Sequence, residues 1–163
     1  MPVRDIATDP EALTFTITAD FPAPPERVWQ IWSDPRQLER WWGPPGYPAT
    51  FVEHDFVPGG AATYYMTLPD GTRAYGWWDF VAIDAPSRLE IVDGFGHPDG
   101  TRNADLPSGR FVVTFTEADG VTTMTNTSWF ARREDLDMVL QMGMAEGMRE
   151  ALSQVDALLG VPA

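Results

Sequence analysis

The stretch EDLDMVLQMGMAEGMREALSQVDALL, residues 134–159, decides the fold. Apolar residues recur in it at steps of three and four, while Gln141 and Glu150 fall on the opposite side. This spacing is that of an amphipathic helix, and no other segment of the chain keeps it for so long. The apolar stripe comprises Leu136, Leu140, Met144, Met148, Leu152, Val155 and Leu159. The pattern predicts one long C-terminal helix that covers the hydrophobic core.

Two glycines, Gly143 and Gly147, lie one turn apart beside this stripe. In a helix interior each costs about 1 kcal/mol relative to alanine, so we expect them to leave useful room against the helix. Met144 and Met148 stand next to them and favour a soft, adaptable wall. The alternative is ordinary packing, in which the glycines admit bulky aromatic side chains from a sheet.

Length and composition predict a single globular domain. The chain has 163 residues, of which 44% are hydrophobic and 21% charged, enough to bury one core. We expect one domain over residues 1–163, with its core in residues 13–159. The 24 acidic residues against 11 basic ones give a formal net charge of -13. Such a charge repels phosphate backbones, so nucleic acid is not an expected partner.

Several classes of site are excluded by residues that the chain lacks. It has no cysteine, which removes disulfides, thiolate metal sites and cysteine nucleophiles. Its two histidines, His54 and His97, have no carboxylates at ligand spacing, so we expect no metal and no cofactor. Residues 1–10 are polar and unlike a signal peptide, and no apolar run reaches the length of a membrane span. We therefore expect a cytoplasmic protein without membrane insertion.

The N-terminal part is predicted to hold one strand followed by two short helices. Residues 13–20 alternate apolar and polar side chains, the pattern of a half-buried strand. Pro25 suits the first position of a helix that runs to about Ser33. Asp34 suits the N-cap of a second short helix, which the Gly/Pro turn 43–46 ends.

Turns rich in proline, glycine and aspartate divide the middle of the chain into six further strands. The runs between them are rich in β-branched and aromatic residues. The interval 93–108 is predicted to be a long Gly-rich loop that could act as a lid. A bulge could switch the facing of residues between Tyr75 and Val81, so their direction stays open. The strands are expected at 50–55, 62–68, 72–83, 88–92, 110–117 and 121–130.

Together these elements predict an α+β fold. A seven-stranded antiparallel sheet has one face to cover, and one long amphipathic helix is the main element available for it. We expect the sheet to curl around that helix, with the two short helices inserted between the first and second strands. The space between sheet and helix is then concave and apolar, which is the usual setting of a small-molecule site.

Four motifs, taken in this order, resemble a known superfamily. They are WWGP at 41–44, HDFVPGG at 54–60, DAPSRL at 84–89 and MGMAEGM at 142–148. The chain resembles the SRPBCC or START-like helix-grip proteins, in the branch named for the activator of the heat-shock-protein-ninety ATPase. The resemblance covers roughly residues 13–159. It implies the helix-grip fold, on which relatives serve as lipid and hormone carriers, cyclases, hydratases and co-chaperone domains.

Strand period predicts which side chains line the space between sheet and helix. The most apolar face of each strand should be the inner one, and alternate residues share it. Asn126 and Ser128 then face inwards as polar groups; satisfaction by backbone or water competes with ligand contact for them. The other candidates from strands and strand ends are His54, Tyr64, Met66, Asp93 and Phe115.

Further candidates lie on helices and loops. Trp42 and Tyr47 stand beside the Gly/Pro turn that is expected at the cavity mouth, and Phe95 stands on the long loop. The C-terminal helix adds Met144, Gly147 and Met148. Core packing is nevertheless the first role expected of the tryptophans on the short helices, Trp29, Trp32, Trp41 and Trp42.

Three functions fit the sequence. The favoured hypothesis is a carrier or sensor of a small hydrophobic molecule, because no catalytic elbow, phosphate loop or dinucleotide fingerprint is present. One alternative is a cyclase or lyase that uses His54 and Asp93 as general acid/base groups, although a structural role is the first expectation for His54. The other is a co-chaperone-like interaction module, which predicts an exposed apolar patch and no cavity. A homodimer is compatible with each of them.

Overall fold

An eight-stranded antiparallel sheet forms the body of the protein. The computed structural model describes residues 2–160. In space the strands follow the order β1-β2-β8-β7-β6-β5-β4-β3, so the N-terminal pair of strands is joined to the meander through β8. The strands are β1 (Val3–Asp9), β2 (Thr14–Phe21), β3 (Ala49–His54), β4 (Ala61–Thr67), β5 (Arg73–Asp84), β6 (Arg88–Gly96), β7 (Gly109–Ala118) and β8 (Val121–Phe130).

Helices occupy two places in the chain, between β2 and β3 and after β8. The two predicted short helices are present, and Pro25 is the first residue of the first one. The second ends at Leu38, before the Gly/Pro turn at 43–46 that was predicted to end it. The Asp34 carboxylate accepts a hydrogen bond from the backbone N–H of Arg36 at 2.9 Å, which is the expected N-cap. The helices are α1 (Pro25–Ser33), α2 (Pro35–Leu38), α3 (Arg133–Gln141), α4 (Met144–Ser153) and α5 (Val155–Leu158).

The prediction of seven strands is wrong, because β1 is an eighth. Its sequence is polar and mostly exposed; within it only Val3 is buried and Ile6 is partly buried. The strand is an edge strand held by its backbone ladder with β2, with Ile6 paired to Ile17. An edge strand with one face in water needs no run of apolar residues, so the sequence carried no alternation that would reveal it.

The prediction of one long C-terminal helix is also wrong, because three helical segments share residues 133–158. Gly143 has a left-handed backbone with φ of 87° and separates α3 from α4. The apolar period continues across this break, so it cannot reveal a change of direction. Gly147, by contrast, lies inside α4. Only Gly147 therefore carries the cost of a glycine in a helix interior, while Gly143 allows a backbone that other residues rarely adopt.

The inner face of the sheet carries most of the core. Strand β2 alternates strictly, with Phe15 and Ile17 buried at 2% and 1% exposure. In β5 a register shift after Phe80 answers the question of facing that the sequence left open. Trp78 and Phe80 point into the core, and Val81 is 47% exposed.

Tryptophans close one end of the curled sheet. Trp32 packs edge-on against Trp41 at 5.0 Å between ring centroids, and Trp42 packs edge-on against Trp78 at 4.9 Å. The core role predicted for the tryptophans of the short helices is thereby confirmed, since all four are at most 9% exposed. The Gln154 amide, which follows α4, donates a 2.7 Å hydrogen bond to the carbonyl of Gly43 and ties the helix to the adjoining turn.

The predicted long loop at 93–108 is shorter, because β6 runs on to Gly96. Asp93 pairs with Trp78 and Gly94 with Trp77, so both are strand residues. A Cβ atom at Gly94 would come within 2.5 Å of the Trp77 indole. This glycine therefore makes room for an aromatic ring on the neighbouring strand, whereas the sequence pattern indicated a turn.

Candidate functional site

A cavity of about 290 Å³ lies between the inner face of the sheet and helices α3 and α4. Apolar side chains form most of its wall, and the polar groups among them are few. At the rim are Gly143 and the 57% exposed Met142, where the chain passes from α3 to α4. The left-handed Gly143 thus lines the cavity at the break between α3 and α4.

The sheet side of the wall contains five residues whose inward facing was predicted from strand period, and Phe95, which was predicted from the long loop. Phe15, Ile17, Phe111 and Phe130 also line it, although they were not among the predicted ligand contacts. Phe111 shares a face with the candidate Phe115 and could have been found from the same alternation. The predicted residues that line the cavity here are Tyr64, Met66, Asp93, Phe95 and Asn126, together with the inward-facing Ser128.

The helix side of the wall contains all three residues predicted from the C-terminal helix, Met144, Gly147 and Met148. A Cβ atom at Gly147 would meet no other atom within 4 Å, so open space lies beside this glycine. Of the two alternatives left open by the sequence, the structure shows a void rather than a sheet aromatic packed into the glycine. Val139 and Ala151 complete this side and were not foreseen.

Trp42 lines the cavity next to the Gly/Pro turn, whereas Tyr47 lies outside it. Tyr47 is 38% exposed, and its backbone carbonyl packs against Gly43, where a side chain could not fit. The backbone N–H of Tyr47 donates to the carbonyl of Pro44 at 2.9 Å, which closes the turn. Tyr47 thus helps to shape the turn beside the cavity without facing into it.

His54 and Phe115 also lie outside the cavity. The Nε2 atom of His54 is 3.2 Å from the carbonyl oxygen of Trp32, and its ring is stacked on Phe56 at 5.5 Å. Burial lowers the pKa of His54, which favours the neutral ring. Phe115 packs edge-on against Trp29 on α1 at 5.4 Å. Both residues belong to the end of the sheet that the short helices cover.

Register explains why Phe111 lines the cavity and Phe115 does not. Phe111 pairs with Ser128, whereas Phe115 pairs with Met124, four residues earlier in β8. The helices α3 and α4 lie over the first pair, and α1 fills the space over the second. Strand alternation predicts a face but not the position along it.

Asp93 and Tyr64 are the titratable side chains that line the cavity. Burial raises the pKa of Asp93 to about 7. Asp93 is half-buried and lines the cavity. Burial likewise raises the pKa of the Tyr64 phenol well above its usual range, so the phenol is neutral.

Tyr64 owes its position to a missing side chain on the next strand. It pairs with Gly76, and a Cβ atom there would overlap the phenol ring and hydroxyl. The ring of Tyr64 also stacks on Phe51 with centroids 4.9 Å apart. The phenol is therefore held flat against β5, where it forms part of the cavity wall.

Three buried polar atoms have no hydrogen-bond partner among the residues described: Trp42 Nε1, Trp78 Nε1 and Asn126 Oδ1. Asn126 is 6% exposed and lines the cavity. An unpaired buried group of this kind costs about 1–3 kcal/mol. Of the two roles weighed for Asn126, satisfaction of its oxygen by the backbone is not what the structure shows.

The predicted acid/base pair does not form one site, because Asp93 faces the cavity and His54 does not. Across residues 2–160 no group of three or more metal-ligating side chains is positioned to hold an ion. None of the helices in the same range combines the length and apolar character needed to cross a membrane.

Fold and cavity together define a helix-grip protein of the START-like class, in which a curled antiparallel sheet and C-terminal helices enclose a ligand-sized space. The chain belongs to the family described as Activator of Hsp90 ATPase homolog 1-like protein, whose sequence profile matches residues 22–160. The resemblance seen in the sequence is thereby confirmed. No curated protein matches the chain.

Solved structures of similar chains share the whole fold. Protein Ms6760 from Mycobacterium smegmatis is 51% identical with a TM-score of 0.91, over 97% of each chain. A protein from Arthrobacter aurescens is 50% identical with a TM-score of 0.92, over 98% of this chain and 92% of its own. A Staphylococcus epidermidis protein is 26% identical with a TM-score of 0.84, over 96% of this chain and 94% of its own.

Proposed function

We propose that this protein is a carrier or sensor that binds a small hydrophobic molecule in the cavity between the sheet and helices α3 and α4. The main support for this proposal is the cavity itself, which has a volume of about 290 Å³ and is lined mainly by apolar side chains. Ligand sites in proteins are concave and mostly apolar, with a few polar groups that fix orientation. Asp93, Asn126 and Ser128 are such groups here.

The proposed contacts come from both sides of the cavity. The sheet contributes Tyr64, Met66, Asp93, Phe95 and Asn126. Trp42 lines the cavity beside the Gly/Pro turn. The helix side contributes Met144 and Met148, whose flexible thioether side chains adapt to ligands of different shape. Tyr47, His54 and Phe115 are not proposed as ligand contacts, because they lie outside the cavity.

A filled-cavity variant tests the proposal. Gly147→Leu places a leucine side chain in the open space beside α4, so we expect it to weaken binding of every cavity ligand by about tenfold or more, which is 1.4 kcal/mol. Glu150→Leu is the matched control, since it adds the same side chain to the same helix at an exposed position outside the wall. Binding is measured by titration calorimetry against a panel of aromatic and aliphatic compounds.

Two results would count against the proposal. One is that no compound of the panel binds the wild-type protein. The other is that Gly147→Leu and Glu150→Leu change affinity equally, which would place the ligand elsewhere. Thermal melting of both variants shows whether the fold is retained. Trp42 lines the cavity, so a change in tryptophan emission on ligand addition gives an independent signal.

The other candidate functions receive less support. A cyclase or lyase that uses His54 together with Asp93 lacks a common site for the two groups. The co-chaperone hypothesis predicted no cavity, and a cavity is present; a chaperone pull-down would still test it. The expected homodimer and cytoplasmic location remain predictions from the sequence.

A further inference from the structure

Asp93 lies on the cavity wall in the middle of the sheet, between β5 and β7. Its cross-strand partners are Trp78 on β5 and Gly109 on β7. A Cβ atom at Gly109 would lie 2.9 Å from the backbone carbonyl oxygen of Trp129, and 3.6 Å from both Asp93 Oδ1 and the ring of Phe130. Glycine at this position therefore allows the close approach of β8 and puts no side chain between Asp93 and Phe130, and all three residues line the cavity.

The carboxylate of Asp93 has no counter-charge among residues 2–160. It takes part in none of the ion pairs and in none of the side-chain hydrogen bonds of this range. The arginines of the adjoining strands lie elsewhere: Arg110 stacks on Trp129 at 4.2 Å, and Arg73 stacks on Tyr65 at 4.2 Å. Removal of the carboxylate from water raises the pKa of Asp93, and its own backbone N–H offsets this rise only in part.

No residue of the cavity wall is basic, and Tyr64 is the other titratable group that faces the cavity. Two polar atoms of wall residues are buried without a hydrogen-bond partner: the acceptor Asn126 Oδ1 and the donor Trp42 Nε1. The carboxylate of Asp93 is the one charged group of the wall that a ligand could neutralise. Aromatic rings of Phe95 and Phe130 stand in the same wall, and such rings attract cations through their π faces. The net charge of -13 adds a negative potential that favours a cation in the cavity.

We propose that the preferred ligand is an apolar molecule that carries a protonated amine, with the ammonium group paired to Asp93 and the apolar body held between the sheet and the methionines of α4. This rests on the proposed function, since it names the chemistry of a ligand for the same cavity. An ammonium group supplies the missing donors to the carboxylate, and a carboxylate or phosphate ligand would meet repulsion there.

Three compounds with one common body test the preference for an amine. Naphthylmethylamine, naphthylmethanol and naphthoate share the aromatic part and differ in the group offered to Asp93. Titration calorimetry at about pH 8, where Asp93 is ionised and the amine protonated, is expected to show the amine about tenfold tighter than the alcohol. The naphthoate is expected to bind most weakly, because its charge has the same sign as that of Asp93.

The Asp93→Asn variant removes the charge and keeps the shape of the side chain. It is expected to abolish the advantage of the amine over the alcohol, and the readout is the ratio of the two affinities measured on the same variant. Glu146→Gln is the control for the change in net charge, because Glu146 is exposed and lies outside the cavity wall. That variant should keep the preference for the amine.

A second measurement needs no variant. Binding of the amine at about pH 6 requires Asp93 to lose its proton, so calorimetry in buffers of different ionisation enthalpy should show close to one proton released per ligand. No release, together with unchanged amine preference in Asp93→Asn, overturns the inference. Equal affinity for amine and alcohol, or tighter binding of the alcohol, also overturns it and leaves the proposed function standing. If neither these compounds nor naphthalene binds, both the preference for an amine and the proposed binding function are refuted.

Discussion

Alanine at Gly147 is expected to stabilise the protein, whereas alanine at Gly143 is expected to destabilise it. The two glycines are four residues apart and lie beside the same apolar stripe. A Cβ atom at either position would meet no other atom within 4 Å, so steric overlap with the surroundings contributes to neither change. The difference between them is therefore a property of the backbone.

The expected magnitudes follow from the backbone at each position. Gly147 is helical inside α4, and alanine there gains about 1 kcal/mol of helix propensity. Gly143 has φ of 87°, where a residue with a Cβ atom costs about 1–2 kcal/mol. The two variants should thus differ by roughly 2–3 kcal/mol in free energy of unfolding. In a chain of this length, 1 kcal/mol shifts the melting temperature by about 2–4 °C.

Urea denaturation of the wild type and both variants measures the difference, provided that the m-value stays constant. Opposite signs support a helix that is broken at Gly143. If Gly143→Ala stabilised the protein as much as Gly147→Ala does, the segment would be one continuous helix and the description of the cavity rim would be wrong. Helical content from circular dichroism should not rise in Gly143→Ala.

Three further changes test the wall of the cavity. Folding raises the pKa of Asp93 to about 7. The stability that the protonated Asp93 contributes is therefore complete below about pH 4 and is lost as the pH rises through 7. In Asp93→Asn, the free energy of unfolding should lose this pH dependence, which amounts to at most about 4 kcal/mol, as measured by denaturation curves at several pH values. Asn126→Leu should raise stability by about 1–3 kcal/mol, because it removes an unpaired buried oxygen; a loss instead would imply a partner in solution. Gly76→Ala should displace Tyr64 and lower stability by about 1–3 kcal/mol; unchanged unfolding and ligand affinity would contradict that contact.

Local patterns predicted much of the fold because they report on short-range physics. The caps of α1 and α2 were readable at Pro25 and Asp34, since the chemistry of a helix start lies within a few residues. Strand alternation likewise predicted the inward facing of Asn126 and Asp93. By contrast β1 has no such pattern, because five of its seven side chains are exposed and its backbone pairs with β2 along the sheet edge.

The sequence predicted which face of each strand and helix lines the cavity, but not which residues along that face do so. Met144, Gly147 and Met148 line the cavity as the helical period required. Phe115 was selected in place of Phe111 because both share one face, and only the register with β8 decides which of them lies under α4. His54 was selected from the strand end, but its ring turns towards the carbonyl of Trp32.

The sequence by itself determined the class of fold, the apolar stripe of residues 134–159 and the small residues beside it. These follow from residue type and spacing, because interactions between residues close in the sequence decide them. Only the tertiary structure decided that the stripe bends at Gly143, that β6 carries Asp93 into the wall, and that this carboxylate stands there without a counter-charge. Those features depend on which strands and helices become neighbours, and no local pattern contains that information.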